Sequence, residues 1–258
     1  MRPSFVKLIQ PYLAAIVEEV TPNACMANIR NAEHEGAQAF MLDLSRIPPE
    51  HRTREILGQI IKSTGRPVMP LVYRANRMSM DVFTDEQRAE EMMKALDAGA
   101  AGCDVMGDMF DPSPRELTRD PQAVEKQMKL IREIHSMGAE VLMSSHMPIP
   151  ISAEETLEHL QRMQERGADI VKIVVTADTE DEFIESQRAT VLLKKGLKVP
   201  FVHLCNGRYG RLQRFVAPML GASLTFGVRE YSESSLGIQP TIRAARTVLD
   251  ELLWHRDH

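Results

Sequence analysis

The sequence predicts a (β/α)8 TIM barrel of the α/β class, a single barrel domain over residues 1–258. Three observations carry that expectation. Eight short β-rich runs recur along the chain, with charged stretches of helical apolar spacing between them. The runs are apolar without strict alternation, which suits parallel strands covered on both faces. No compositional linker divides the chain, and "EEVTPNAC" (18–25) stands after the first run where an open dinucleotide-binding sheet would carry a glycine-rich turn.

The eight expected strands are "LAAIV" (13–17), "AFMLDL" (39–44), "VMPLVY" (68–73), "GCDVM" (102–106), "EVLMSS" (140–145), "DIVKIVV" (169–175), "PFVHL" (200–204) and "SLTFG" (223–227). Helices are expected over 152–167 and 179–196, and "PTIRAARTVLDELL" (240–253) closes the chain with another. Ser152 with Glu155, and Thr179 with Glu182, have the spacing of capping boxes. Gly138, Gly167 and Gly196 each end a helical pattern, where a glycine just past the helix terminus is expected.

Composition narrows the function. The chain carries 31 Lys and Arg against 36 Asp and Glu, a formal charge of -5 with no concentrated basic stretch. That balance argues against a nucleic-acid partner. Cys25, Cys103 and Cys205 have no paired spacing, which fits a reducing compartment. The opening residues mix apolar and charged groups too closely for a signal peptide, and no apolar run approaches a membrane span. A cytoplasmic protein with no membrane partner is the expectation. No cofactor motif is present, so no cofactor is expected.

A barrel gathers the C-terminal ends of its strands at one mouth. The residues expected there are Asp43, Arg74, Asp104, Asp108, His146, His203 and Asn206, with Lys172 inside the sixth run. An ammonium is seldom buried without a partner or a task. An outward Lys172 needs a carboxylate from a covering helix, and the neighbouring sequence nominates none. An inward Lys172 reaches the mouth as a desolvated, nucleophilic amine that condenses with a ketone or aldehyde to an iminium ion. His146, one strand earlier, suits proton transfer to and from that ion. Asp108 and Asp104 are candidates to hold its other ring nitrogen, with Asp43 more distant. Arg74 and Arg214 offer guanidinium forks for a carboxylate, and the "NGRYG" turn (206–210) offers backbone N–H groups for an anion. A divalent-metal reading of Asp43, Asp108, His146 and His203 is weaker, because no two form a tight motif and Lys172 opposes the cation.

Together these residues resemble the type I 3-dehydroquinate dehydratases, a Schiff-base (β/α)8 family of the shikimate pathway. "VLMSSHMPIPISAEETLEHLQRMQERGADIVKIVV" (141–175) is similar to the family segment between its catalytic histidine and its imine-forming lysine, which implies those roles for His146 and Lys172. "GRYGRLQRFVAPMLGASLTFG" (207–227) implies Arg214 as the substrate-clamping arginine, with Gln213 where a serine usually precedes it. "ESSLGIQPTIRAARTVLDELL" (233–253) resembles the family's lid, implying Gln239 and either Ser234 or Ser235 as its glutamine and serine.

The first half departs from the family. "LDLSR" puts Asp43 where a glutamate is usual and Ser45 near the usual arginine, with Arg46 one position along. "VYRANRMS" keeps Arg74 but loses a glutamate and glycines. "MGDMF" implies Asp108 as the carboxylate that orients the histidine, whereas a competing register over "DVM" puts Met106 there. The resemblance implies a lyase that dehydrates a small cyclic hydroxy-keto acid, with a homodimer expected by analogy. A Schiff-base lyase or aldolase for another keto acid, or a barrel that only binds a ketoacid, are the alternatives.

Overall fold

Residues 2–74, 82–232 and 237–253 are described by the computed structural model. Eight parallel strands occupy the eight expected runs: β1 Tyr12–Val17, β2 Ala39–Asp43, β3 Val68–Leu71, β4 Gly102–Met106, β5 Glu140–His146, β6 Ile170–Thr176, β7 Phe201–Asn206 and β8 Leu224–Gly227. Each is followed by a helix: α1 Pro22–His34, α2 Arg54–Ile61, α3 Asp85–Ala98, α4 Pro121–Ser136, α5 Ala153–Glu165, α6 Glu180–Gly196, α7 Gly210–Leu220 and α8 Ile242–Leu253. The result is a (β/α)8 barrel.

The ladders run in the orders β3-β2-β1-β8 and β4-β5-β6-β7. Two seams join these halves near the strand beginnings, where the Ala101 N–H donates to the Val68 carbonyl at 2.8 Å and the Ser223 N–H to the Phe201 carbonyl at 2.8 Å. Alternate strand residues point to opposite faces. Tyr12, Met41, Met69, Leu142, Ile170, Val202, Leu204 and Phe226 pack inside the barrel. Val105, Val141, Met143, Val171, Ile173 and Cys205 meet the helices outside it. This burial on both faces is why the strands read as continuous apolar runs.

The local chemistry acts as the sequence predicts. Both capping boxes form, Ser152 with Glu155 and Thr179 with Glu182, so α5 and α6 begin directly after β5 and β6 turn out of the barrel. Gly138 and Gly167 adopt the left-handed backbone at φ 69° and 100°. Gly196 differs. It is the last residue of α6, and a Cβ there would lie 2.7 Å from Leu157 Cδ1, so close helix packing rather than a left-handed turn accounts for it.

Two strand ends are corrected in ways that matter. β3 stops at Leu71, which leaves Tyr73 and Arg74 beyond the ladder. β5 continues through His146, one residue past the expected run, because that residue pairs with Val174 and the Met147 N–H extends the ladder to the Val174 carbonyl at 2.7 Å.

Candidate active site

Lys172 points inward. It is flanked in register by Ser144 on β5 and Val202 on β7, and follows Ile170 on the inner face. Its ammonium nitrogen lies 5.5 Å from the centre of the Phe226 ring and 3.7 Å from Asp104, whose other oxygen accepts a hydrogen bond from the Ser144 hydroxyl. Only 7% of the residue is exposed. Burial lowers the Lys172 pKa, and the neighbouring Asp104 and Glu116 carboxylates only partly oppose that. The same desolvation that makes a buried ammonium costly makes the free amine accessible.

His146 completes the pair. Its Nε2 lies 3.0 Å from Lys172 Nζ. On its other side the backbone N–H donates to Glu116 Oε2 at 2.7 Å, and ring Nδ1 lies 3.2 Å from the same oxygen. An ionised carboxylate only accepts, so the proton sits on Nδ1 and Nε2 keeps its lone pair toward the lysine. Burial, then the adjacent lysine, lowers the His146 pKa and keeps the ring neutral. Burial also acts to raise the Glu116 pKa, but hydrogen bonds from His146 and Tyr73 outweigh it and leave a net lowering. The Tyr73 hydroxyl donates to Glu116 Oε1, and its ring lies 4.2 Å from the His146 ring at 52°.

The carboxylate that meets His146 is therefore Glu116, not Asp108. Asp108 accepts from Arg74 Nη1 at 2.9 Å on both oxygens and from the Ser113 N–H at 2.8 Å. Asp108 is the first acidic residue of the loop after β4, and its carboxylate is consumed in folding that loop. Asp104 lies beside the lysine instead.

The loop that delivers Glu116 is fastened from beneath. Gln127 Nε2 donates to the Gly107 and Met109 carbonyls at 3.0 and 2.8 Å, and Arg166 donates to the Gly107 and Thr118 carbonyls. Ser145 donates its hydroxyl to the Glu116 carbonyl. Glu116 has a positive φ of 46°, uncommon for a side-chain-bearing residue. At Gly107 a Cβ would sit 2.5 Å from that same carbonyl oxygen, so only glycine lets the two backbones approach.

The remaining expected residues divide. Arg214, on α7, is 4% exposed, donates to Asn206 Oδ1 at 3.2 Å, and has an Nε without a partner among the described residues. Burial lowers its pKa to about 10, and its charge reaches Lys172. Arg74 is engaged: Nη1 holds Asp108 and Nη2 holds Asp85 at 3.0 Å. Asp43 accepts from the Ser45 N–H at 2.9 Å and hydroxyl at 2.6 Å, and burial raises its pKa to about 6. Gln239 is half-buried on the segment between β8 and α8, with no partner for Oε1 among the described residues. Ser234 and Ser235 lie outside the described residues.

Two other expectations are corrected. His203 faces α6, where its Nδ1 lies 2.9 Å from Thr190 Oγ1, because it alternates with the inward Val202 and Leu204. It cannot join His146 at a metal, and among the described residues no three His, Cys, Asp or Glu side chains are placed to hold one. The 206–210 turn offers no anion cradle, since the N–H groups of Arg208, Tyr209 and Gly210 bond Asp178, Ala177 and Gly207.

At the mouth of a (β/α)8 barrel the structure thus sets a desolvated, inward-facing lysine beside a carboxylate-held histidine. The sequence profile of the type I 3-dehydroquinase family matches residues 14–253. The chain belongs to that family.

Its relatives are distant. Over 114 residues it is 36% identical to the 3-dehydroquinate dehydratase of Alkaliphilus oremlandii, covering 43% of each chain. It is 31% identical over 114 residues to the catabolic 3-dehydroquinate dehydratase of Acinetobacter baylyi, covering 44% of this chain and 41% of that one. The matches thus span less than half the length of these two curated relatives. The type I 3-dehydroquinate dehydratase of Clostridium difficile, solved with covalently modified comenic acid, shares the fold with a TM-score of 0.81. That likeness covers 98% of this chain and 96% of that one at 16% identity. The 3-dehydroquinate dehydratase of Geobacillus kaustophilus also gives 0.81, covering 98% and 95% at 14% identity. Among the described residues no helix is long and apolar enough to cross a membrane.

Proposed function

We propose that this chain dehydrates 3-dehydroquinate, or a cyclic hydroxy-keto acid close to it, through an imine at Lys172. The observation that carries the reading is the 3.0 Å approach of Lys172 Nζ to the lone-pair nitrogen of His146. Attack of the amine on the ring ketone forms a C–N bond, and loss of the carbonyl oxygen as water leaves an iminium ion. His146 Nε2 takes the proton from the adjacent carbon, and the electron pair moves into an enamine. The enamine expels the hydroxyl group on the next carbon, which leaves as water with the proton returned by His146. Hydrolysis of the iminium then releases an enone and restores the amine.

Glu116 supports this by holding the histidine through the cycle and balancing its transient charge. Arg214 is the guanidinium best suited to the substrate carboxylate, being buried with one nitrogen unpartnered among the described residues. Gln239, half-buried on the segment between β8 and α8, is assigned to shielding the site.

A second reading has its own support. Arg74 is held by Asp85 and Asp108, and Ser45 stands near the position of a family arginine, so recognition along this wall differs from the family pattern. The same imine chemistry would then serve another keto acid. The test is incubation with 3-dehydroquinate, followed by ultraviolet absorbance of the enone and by mass spectrometry. A product lighter by one water supports the first reading. An inactive enzyme that still forms an imine with other ketoacids supports the second.

A further inference from the structure

Tyr73 ends the third apolar run and lies beyond its strand, where an apolar residue would fill the same space. It carries instead a hydroxyl aimed at Glu116 Oε1, while Glu116 Oε2 serves both the backbone N–H and the ring Nδ1 of His146. The two oxygens of one carboxylate are thus spanned between a phenol and a histidine. The tyrosine ring lies against the histidine ring at 4.2 Å. Burial, then Glu116, raises the Tyr73 pKa, so the phenol stays a donor.

We infer that Tyr73 is a positioning residue that fixes the Nδ1–H tautomer of His146 by pinning the Glu116 carboxylate. The inference rests on the reading of His146 as the proton-transfer group. Glu116 is carried by a loop and has rotatable side-chain bonds. Held only through Oε2, it could turn about the backbone N–H of His146 and leave Nδ1. The phenol at Oε1 removes that freedom. With Nδ1 held as the donor, Nε2 cannot carry the neutral ring's proton, and its lone pair remains toward Lys172.

The test is nitrogen-15 NMR of the His146 ring in the full chain without substrate, in the parent and in Tyr73→Phe, which removes only the hydroxyl. The parent should show Nδ1–H as the dominant neutral tautomer, and Tyr73→Phe a mixture with Nε2–H. With 3-dehydroquinate, kcat should fall about 10-fold and KM should stay near the parental value. A Tyr73→Phe protein with the single parental tautomer overturns the inference whatever its activity. If the parent proves inactive on 3-dehydroquinate, the substrate reading fails while the tautomer result still decides this one. Should Tyr73→Phe fail to fold, 3-fluorotyrosine at position 73 keeps the shape and strengthens donation. The Nδ1–H proton resonance should then move upfield, as the carboxylate is drawn toward the phenol, and an unmoved resonance overturns the inference.

Discussion

Lys172 Nζ and His146 Nε2 stand 3.0 Å apart on adjacent strands of one barrel. The distance follows from two structural choices. His146 is the last residue of β5, four positions after Leu142, and Lys172 pairs in register with Ser144 between them. The alternation of strand residues turns both side chains inward, and the sheet fixes their separation without help from any loop. The loop supplies the third partner, Glu116, which decides which histidine nitrogen meets the lysine.

The first consequence concerns His146. His146→Ala removes the proton carrier but leaves the amine, so turnover should fall about 10²–10⁴-fold while imine formation persists. Steady-state rates with 3-dehydroquinate, alongside circular dichroism to confirm the fold, check this. Parental turnover in a folded variant would show that another group moves the proton.

Glu116 and Asp108 should behave differently when neutralised. Glu116→Gln loses the anion beside the imidazole and should lower kcat about 100-fold with little loss of stability. Asp108→Asn weakens the contacts to Arg74 and the Ser113 N–H, while Arg74 keeps Asp85, and should cost about 1–2 kcal/mol of stability, with a smaller effect on turnover of the folded fraction. Urea titrations and initial rates on both variants separate the two. Were Asp108→Asn the slower enzyme at equal stability, Asp108 rather than Glu116 would serve the histidine.

The two arginines also separate. Arg214→Ala should raise KM by about 10-fold or more through loss of a carboxylate clamp. Arg74→Gln should act mainly on stability, because it abandons Asp85 and Asp108 together. A large KM effect from Arg74 with an unchanged urea midpoint would mean that it leaves both carboxylates to bind substrate.

Acid should weaken the fold through buried histidines. His159 and His203 have pKa values lowered to about 4 by burial, against an ordinary 6.5 in the unfolded chain. Between these values the unfolded state binds more protons, so stability falls as pH drops, by up to about 3 kcal/mol for each. Asp43, raised from 3.8 to about 6, works in the opposite sense over its own window and offsets about one of the two. The urea midpoint should therefore decline from pH 6.5 to 4. His203→Gln, which cannot take up that proton, should flatten the decline; an unchanged slope would place the loss elsewhere.

The barrel was legible because parallel strands covered on both sides leave apolar runs, and Lys172 stood out as the charge inside one of them. His146 was legible from its place one strand earlier. Glu116 was not, for a physical reason. It lies in "PSPRELT" (112–118), where no period applies and a glutamate beside Arg115 resembles a solvated charge. Its arrival at His146 depends on partners far along the chain: Gln127 and Arg166 beneath the loop, Ser145 at its carbonyl and Tyr73 at its carboxylate. The paired prolines, Pro112 and Pro114, were the available hint of a stiffened loop. The likeness of "MGDMF" to the family motif implies Asp108 in that role, yet Arg74 and the Ser113 N–H claim its carboxylate.

The central claim is that Lys172 is the amine that joins the substrate. The most direct measurement is borohydride reduction in the presence of 3-dehydroquinate, with the intact mass and the modified peptide read by mass spectrometry. One reduced ligand per chain should appear, on the peptide containing residues 169–175, and Lys172→Met should abolish both the adduct and turnover. Turnover without any trapped adduct, or an adduct mapped to a different lysine, would contradict the account.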